Sequence, residues 1–306
     1  MHNGIIADDK PLSFTSSKVV SVIKKKFNLS KVGHGGTLDP LATGVLLLFL
    51  NRATKFSVFS LNSEKEYIAI ITFGKSTSTF DSEGEIVETK KIPVLSNEDI
   101  ENSLNKYIGY IDQTPPIFSA IKIKGKPSYY YARKKIKVEL RSKKVYVKSI
   151  DILNWDGRNL ELKIVAGKGF YVRSFADDIG RDFNTVSFLN NLRRIRSGSF
   201  SESDLISLEK LIELDNLELI SDNILKTPDF LLNHCESITL CEANLNLFYD
   251  KIPIFINLKK ISERYKVYDD TGDIIGTALY DYKNIGYNFI DFLFYRHIKY
   301  LFVVKK

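Results

Sequence analysis

The chain has 306 residues, 44% of them hydrophobic and 26% charged, with a net charge of +7, an ordinary globular composition with room for one sizeable domain and a smaller one. No run of about 18 apolar residues occurs, and the N-terminal segment carries Asp8 and Asp9 with no apolar stretch before a small-residue cleavage site, so neither a membrane span nor a secretory leader is expected. Cys235 and Cys241 alone cannot make up a zinc site, and two isolated thiols suit a reducing, cytoplasmic setting.

The first predicted element is a helix. Thr15 or Ser16 can cap a segment in which Val19, Val20, Val22, Ile23 and Phe27 recur at helical spacing. It leads into residues 33–44, GHGGTLDPLATG, where Gly33, Gly35 and Gly36 allow a sharp turn and close approach. Pro40 biases Asp39 toward extended backbone, and the wholly apolar residues 45–50 read as a buried strand. Asp39 is thus presented on a stiff loop, where a carboxylate suits either chemistry or the closing of an Asx-turn.

Residues 67–73 form a β-rich run that Gly74 ends. Gly74-Lys75-Ser76 has the ending of a phosphate-binding loop, but Ala69 occupies the position where that loop needs its first Gly. Asn97 is placed to cap a helix bearing Ile100, Leu104 and Ile108. Residues 160–165 alternate like a half-buried strand before Gly167 and Gly169, and helices are predicted over 172–183 and 188–195. Strands and helices intermingle without regular βα alternation, so the fold class is α+β.

Between these elements, residues 121–150 hold eleven Lys/Arg against a single acid, Glu139, so the positive charge of the chain is local. Tyr129, Tyr130 and Tyr131 are interleaved with it. Basic side chains pair with phosphates and aromatic rings stack on bases, which is the composition of an RNA-gripping surface; a solvated hairpin has the same composition. After residue 233 short strands are predicted at 237–240, 252–258, 265–269, 273–280 and 300–304.

Residues 33–44 resemble the GHTGxLDPxATGxL signature of the TruB-type tRNA pseudouridine synthases, with Gly35 in place of the usual Thr. The resemblance extends to Gly4-Ile5-Ile6, Asp9-Lys10-Pro11 and Thr15-Ser16, with Leu12 where a Gly is usual. It continues through Lys65-Glu66-Tyr67, Thr77-Ser78-Thr79-Phe80-Asp81, Pro115-Pro116-Ile117-Phe118-Ser119-Ala120, Lys168-Gly169-Phe170-Tyr171-Val172-Arg173-Ser174 and Leu192-Arg193-Arg194-Ile195-Arg196-Ser197-Gly198. It fades after about residue 230, and Ser78 stands where the family has Asp.

The resemblance implies a pseudouridine-synthase fold, a mixed and largely antiparallel sheet with flanking helices, over residues 1–233. A small PUA-like RNA-binding β-barrel would occupy 234–306, and the basic segment at about 121–150 would be an insertion that grips tRNA. The implied reaction converts uridine 55 of the tRNA TΨC loop to pseudouridine on a flipped-out base, without a cofactor or metal. Asp39 would act at the ribose, Arg173 would hold Asp39 ionised through its two-pronged guanidinium, and Tyr67 would stack on the base and exchange a proton. Tyr171 and the apolar Leu192 would line the pocket, His34 would fill space left in the RNA loop, and Lys134 and Lys135 would bind the substrate backbone. The implied partner is tRNA through its TΨC stem-loop, with no membrane and no obligatory protein partner, for a monomer in the cytoplasm. Two other readings stand beside it: a dyskerin-like enzyme that depends on a guide RNA, and a non-catalytic tRNA chaperone.

Overall fold

The structure is a computed structural model and describes residues 3–134, 136–215, 217, 224–250, 264–281, 288–294 and 297–303. Its first elements are strand β1 (Gly4–Lys10), helix α1 (Ser16–Lys26), the short β2 (Val32–His34) and β3 (Ala42–Leu50). The Thr15 side chain caps α1 by accepting a hydrogen bond from the Lys18 amide, and Lys24, Lys25 and Lys26 in the last turn suit the negative end of the helix dipole. Strand β3 shows why residues 45–50 are apolar throughout. Leu46, Leu48 and Leu50 enter one hydrophobic core, while Val45, Leu47 and Phe49 enter a second. Successive side chains of a strand point to opposite faces, so a strand between two cores has no polar side.

Helix α2 (Ser57–Asn62) follows, then β4 (Lys65–Phe73), a ribbon of β5 (Lys75–Thr77) and β6 (Ile86–Thr89), helix α3 (Asn97–Asn105) and β7 (Gly109–Gln113). Ser96, not Asn97, caps α3, because Ser96 and Asp99 form a reciprocal capping box; the helix ends at Asn105, which leaves Ile108 beyond it. The basic segment holds a ribbon of β8 (Lys122–Ile123) and β9 (Lys126–Pro127) and helix α4 (Ser128–Arg133). Residues 143–150 belong instead to the long strand β10 (Lys143–Trp155) of the main sheet. Beyond it lie β11 (Asn159–Ala166), α5 (Val172–Asp182), β12 (Ser187–Ser197), β13 (Phe200–Ser201), β14 (Leu205–Ser207) and α6 (Leu208–Glu213).

The helix expected over 188–195 is a strand. β12 bonds in parallel to β3 and antiparallel to β4, so both of its edges are satisfied within the sheet. Its register against β4 slips between Leu189 and Asn191, a bulge that leaves Leu189 and Leu192 three positions apart and both buried. That spacing imitates one face of a helix.

The main sheet runs β14-β1-β3-β12-β4-β11-β10-β7, with β2 beside β3 and β13 beside β12. It is largely antiparallel, β1 with β14 and β3 with β12 being its parallel pairs. Helices α1, α3 and α5 send Val19, Ile23, Ile100, Leu104, Phe175 and Ile179 into the larger core. The mixed sheet with flanking helices is the α+β arrangement expected.

The C-terminal part has β15 (Glu236–Thr239), α7 (Glu242–Asp250), β16 (Arg264–Tyr268), β17 (Ile274–Asp281), β18 (Asn288–Phe294) and β19 (His297–Val303). Its five strands pair in sequence order, and no pair joins β15 to β19 among the described residues, so what is described is an open sheet rather than a closed barrel. The strand expected at 252–258 lies outside the described residues. Among the described residues no helix is long and apolar enough to cross a membrane.

Asp8 on β1, opposite Leu46 and Ile206, is fully buried and neither of its carboxyl oxygens has a hydrogen-bond partner. Burial raises its pKa from 3.8 to about 7, helped by Asp9 and Glu209. A carboxyl raised in the folded state costs nothing below its unfolded pKa; the cost grows as pH climbs from about 4 to about 7 and is complete above that. Asp8→Asn is therefore expected to stabilise the protein by a few kcal/mol at pH 8, at about 1.4 kcal/mol per pK unit. The gain should shrink toward zero at about pH 4. Denaturant midpoints across pH check this; a gain that does not change with pH would mean that folding does not shift the titration of Asp8, and a loss that grows with pH would mean that Asp8 is ionised and paired.

Candidate active site

Several runs of the sequence converge on the loop that carries Asp39. The Ser16 hydroxyl, at the start of α1, donates to the Leu38 carbonyl (3.0 Å) and accepts from the Leu38 amide (2.8 Å). The buried Lys10 ammonium donates to the carbonyls of Pro11, Phe14 and Pro40. On the sheet side, Arg194 of β12 donates from Nε to Val45 O (2.7 Å) and from Nη2 to Gly36 O (3.2 Å). Gly44 has φ +94°, and a Cβ there would collide with the Arg194 carbonyl, so only glycine lets β3 lie this close to β12. The loop is thus braced at Gly36, Leu38 and Pro40, on both sides of Asp39.

Asp39 faces Arg173, the second residue of α5. Arg173 Nε lies 2.9 Å from Asp39 Oδ2 and 3.5 Å from Asp81 Oδ2, so a single guanidinium nitrogen is ion-paired with two carboxylates. The other two nitrogens are engaged elsewhere, Nη1 donating to Thr79 O (3.3 Å) and Nη2 to Phe118 O (2.9 Å). The two-pronged grip expected of Arg173 on Asp39 is therefore not what holds the pair. One edge of the guanidinium meets two carboxylates while its prongs are fixed by backbone. The Asp81 carboxylate is held in turn by the Thr79 hydroxyl and the Glu83 amide.

This pair stands at a cavity of about 140 Å³ walled by Tyr67, Tyr171, Phe170, Leu189 and Leu192. A water claims roughly 10–15 Å³ on that scale, so one pyrimidine ring fits. Arg173 is only 5% exposed, whereas a third of the Asp39 side chain (33%) remains open to an incoming group. Burial pushes the Asp39 carboxyl above its usual range; Arg173 pulls it back and Asp81 pushes it up again. Behind Tyr67 lies the wholly buried Arg194, whose charge acts on the Tyr67 side chain. Burial raises the Tyr171 hydroxyl above its ordinary pKa, against a hydrogen bond with Ser119 that lowers it.

The structure therefore brings together Asp39, Tyr67, Tyr171, Arg173 and Leu192. His34, on β2 beside Leu48, does not line the cavity; it is half-buried, and burial lowers its pKa, which keeps the ring neutral. Lys134 is exposed at the end of α4, where it and Lys126 flank the Tyr130 ring at 4.8 and 4.4 Å. Lys135 lies outside the described residues. Sequence reasoning assigned no role to Asp81, Lys10 or Arg194, although all three fall within the runs quoted above. Among the described residues no group of His, Cys, Asp and Glu could hold a metal ion.

A family model described as TruB family pseudouridylate synthase, N-terminal domain, matches residues 24–172. The chain is 36% identical over 245 residues to "tRNA pseudouridine synthase B" of Hamiltonella defensa subsp. Acyrthosiphon pisum, covering 80% of this chain and 77% of that protein. It is 39% identical over 241 residues to the protein of the same name from Aquifex aeolicus, covering 77% of this chain and 84% of the other. In fold it is similar to a chain of the solved Cbf5-Nop10-Gar1 complex, with a TM-score of 0.70 at 22% identity, covering 99% of this chain and 84% of that one.

Proposed function

Since the chain belongs to the TruB family of pseudouridylate synthases and is an isomerase acting on tRNA uridine, we propose that its target is uridine 55 of the TΨC loop and that Asp39 acts on it. The observation that carries this reading is the Asp39–Arg173 ion pair at a partly open cavity with room for a pyrimidine ring. The reaction breaks the bond from N1 to C1′, turns the base, joins C5 to C1′ and exchanges the C5 proton for one on N1. Asp39 either bonds C1′ or takes the C2′ proton, and both routes need it ionised, which the Arg173 charge favours. Tyr67, which lines the cavity, stacks on the extruded base in this reading, and its hydroxyl accepts the C5 proton. Leu192 and Tyr171 exclude water from the bond-breaking step.

An unmodified tRNA transcript incubated with the protein alone, followed by mapping of pseudouridine, tests the whole reading. Product at position 55 without a guide RNA is the expected result; product elsewhere, or only with a guide, overturns it. We assign the reaction to residues 1–233 and RNA contact to a PUA-like unit over 234–306, and propose a monomer that works in the cytoplasm without cofactor or obligatory protein partner.

The basic segment supports direct tRNA contact. Neutralising Lys134, Lys135, Lys143 and Lys144 together is expected to weaken tRNA binding and to lower the log-log salt slope by somewhat under about one unit per lost phosphate contact. The rate for bound substrate should change much less, since Lys134, Lys143 and Lys144 do not line the cavity. An unchanged slope in binding titrations would leave the patch a solvated face.

A further inference from the structure

We propose that Gln113 is a positioning residue for the reaction, one that sets the start of α5 so that Tyr171 and Arg173 stand correctly in the cavity. The proposal rests on the reading of Asp39 and Arg173 given above. Gln113 ends β7, at the edge of the main sheet, and is only 3% exposed. Its amide nitrogen donates to Tyr171 O (3.0 Å), and its amide oxygen accepts from Tyr171 N (2.8 Å). The side chain thereby pairs with the backbone of Tyr171 as a neighbouring strand would.

Tyr171 is the residue that precedes the first turn of α5, and no side chain of its own caps that helix. Gln113 takes over part of that task from a distant strand. The chain after it then runs alongside the same turn: the Ser174 hydroxyl donates to Thr114 O (2.7 Å), Arg173 Nη2 to Phe118 O, and the Tyr171 hydroxyl meets Ser119. Those contacts fix side chains. Gln113 alone among them holds the backbone, so its loss lets the helix start tilt and carries Tyr171 and Arg173 with it. Misplacement of catalytic groups by about 1 Å costs on the order of a hundredfold in rate.

Gln113→Glu separates positioning from plain stability. A protonated carboxyl can both donate to Tyr171 O and accept from Tyr171 N, as the amide does, whereas an ionised one only accepts and faces the Tyr171 carbonyl. Burial raises such a carboxyl into the accessible pH range. The single-turnover rate of this variant, taken relative to wild type at each pH, is expected near wild type at about pH 5.5 and about ten- to a hundredfold lower at about pH 8. Binding of tRNA should stay within about threefold at both. Gln113→Met, neutral and of similar length, should show the loss at both pH values. A rate ratio for Gln113→Glu that is flat with pH, full activity in Gln113→Met, or a loss confined to tRNA binding overturns the proposal. Wild-type protein that makes no pseudouridine would instead overturn the reading on which it rests.

Discussion

Asp39→Asn is expected to abolish pseudouridine formation, by at least about 10,000-fold, the scale seen when a reacting side chain is removed. Binding of tRNA should stay within about threefold, because contacts with phosphates supply most of the affinity. The amide keeps the shape of the carboxylate, so the braces at Gly36, Leu38 and Pro40 hold the loop in place. What is lost is the capacity to bond C1′ or to accept the C2′ proton. Single-turnover assays on an unmodified transcript, paired with filter binding, check both halves. Measurable turnover would move the reacting carboxylate elsewhere, with Asp81, 3.5 Å from the same guanidinium, the next position to test.

For Arg173→Lys the expected loss in kcat is about a hundredfold or more, with little change in KM, because four separate contacts depend on the guanidinium. It meets Asp39 and Asp81 along one edge and the carbonyls of Thr79 and Phe118 with its prongs, and a single ammonium cannot reach all four. The pH profile should move as well. The proposed role needs Asp39 ionised, burial raises its pKa, and Arg173 opposes that rise. With the cation displaced the pKa climbs further, so the acidic limb of kcat/KM shifts to higher pH. Near-normal rates with an unmoved limb would place Arg173 outside the reaction.

Elements with local causes were legible in the sequence. Helix α1 has its cap and its apolar spacing, α5 its periodicity, and the strands around residues 45–50, 67–73 and 160–165 their apolar runs and the glycines beside them. Strand β12 was misread as a helix because a bulge, which depends on pairing with β4, leaves Leu189 and Leu192 at helical spacing. The cap of α3 was placed one residue late because Ser96 and Asn97 are both good capping residues and the reciprocal bond with Asp99 decides between them. In the site, Asp39, Tyr67, Tyr171, Arg173 and Leu192 came from motif resemblance and do meet at the cavity. Lys10, Arg194 and Gln113 act through hydrogen bonds to backbone far away in sequence, which no local pattern announces. The grip of Arg173 was misjudged for the same reason, since the carbonyls of Thr79 and Phe118 that occupy its prongs are brought there by the fold.

Strand β3, which begins three residues after Asp39, gives alternate side chains to two cores. Neither core can melt while the other stays intact, because each would have to release the same backbone. The two bodies of apolar packing are in this way joined into one cooperative unit, and Asp39 sits at its margin rather than on a segment able to open alone. Mobility needed to admit and release RNA therefore has to come from other parts of the chain, and the carboxylate keeps its place while they move.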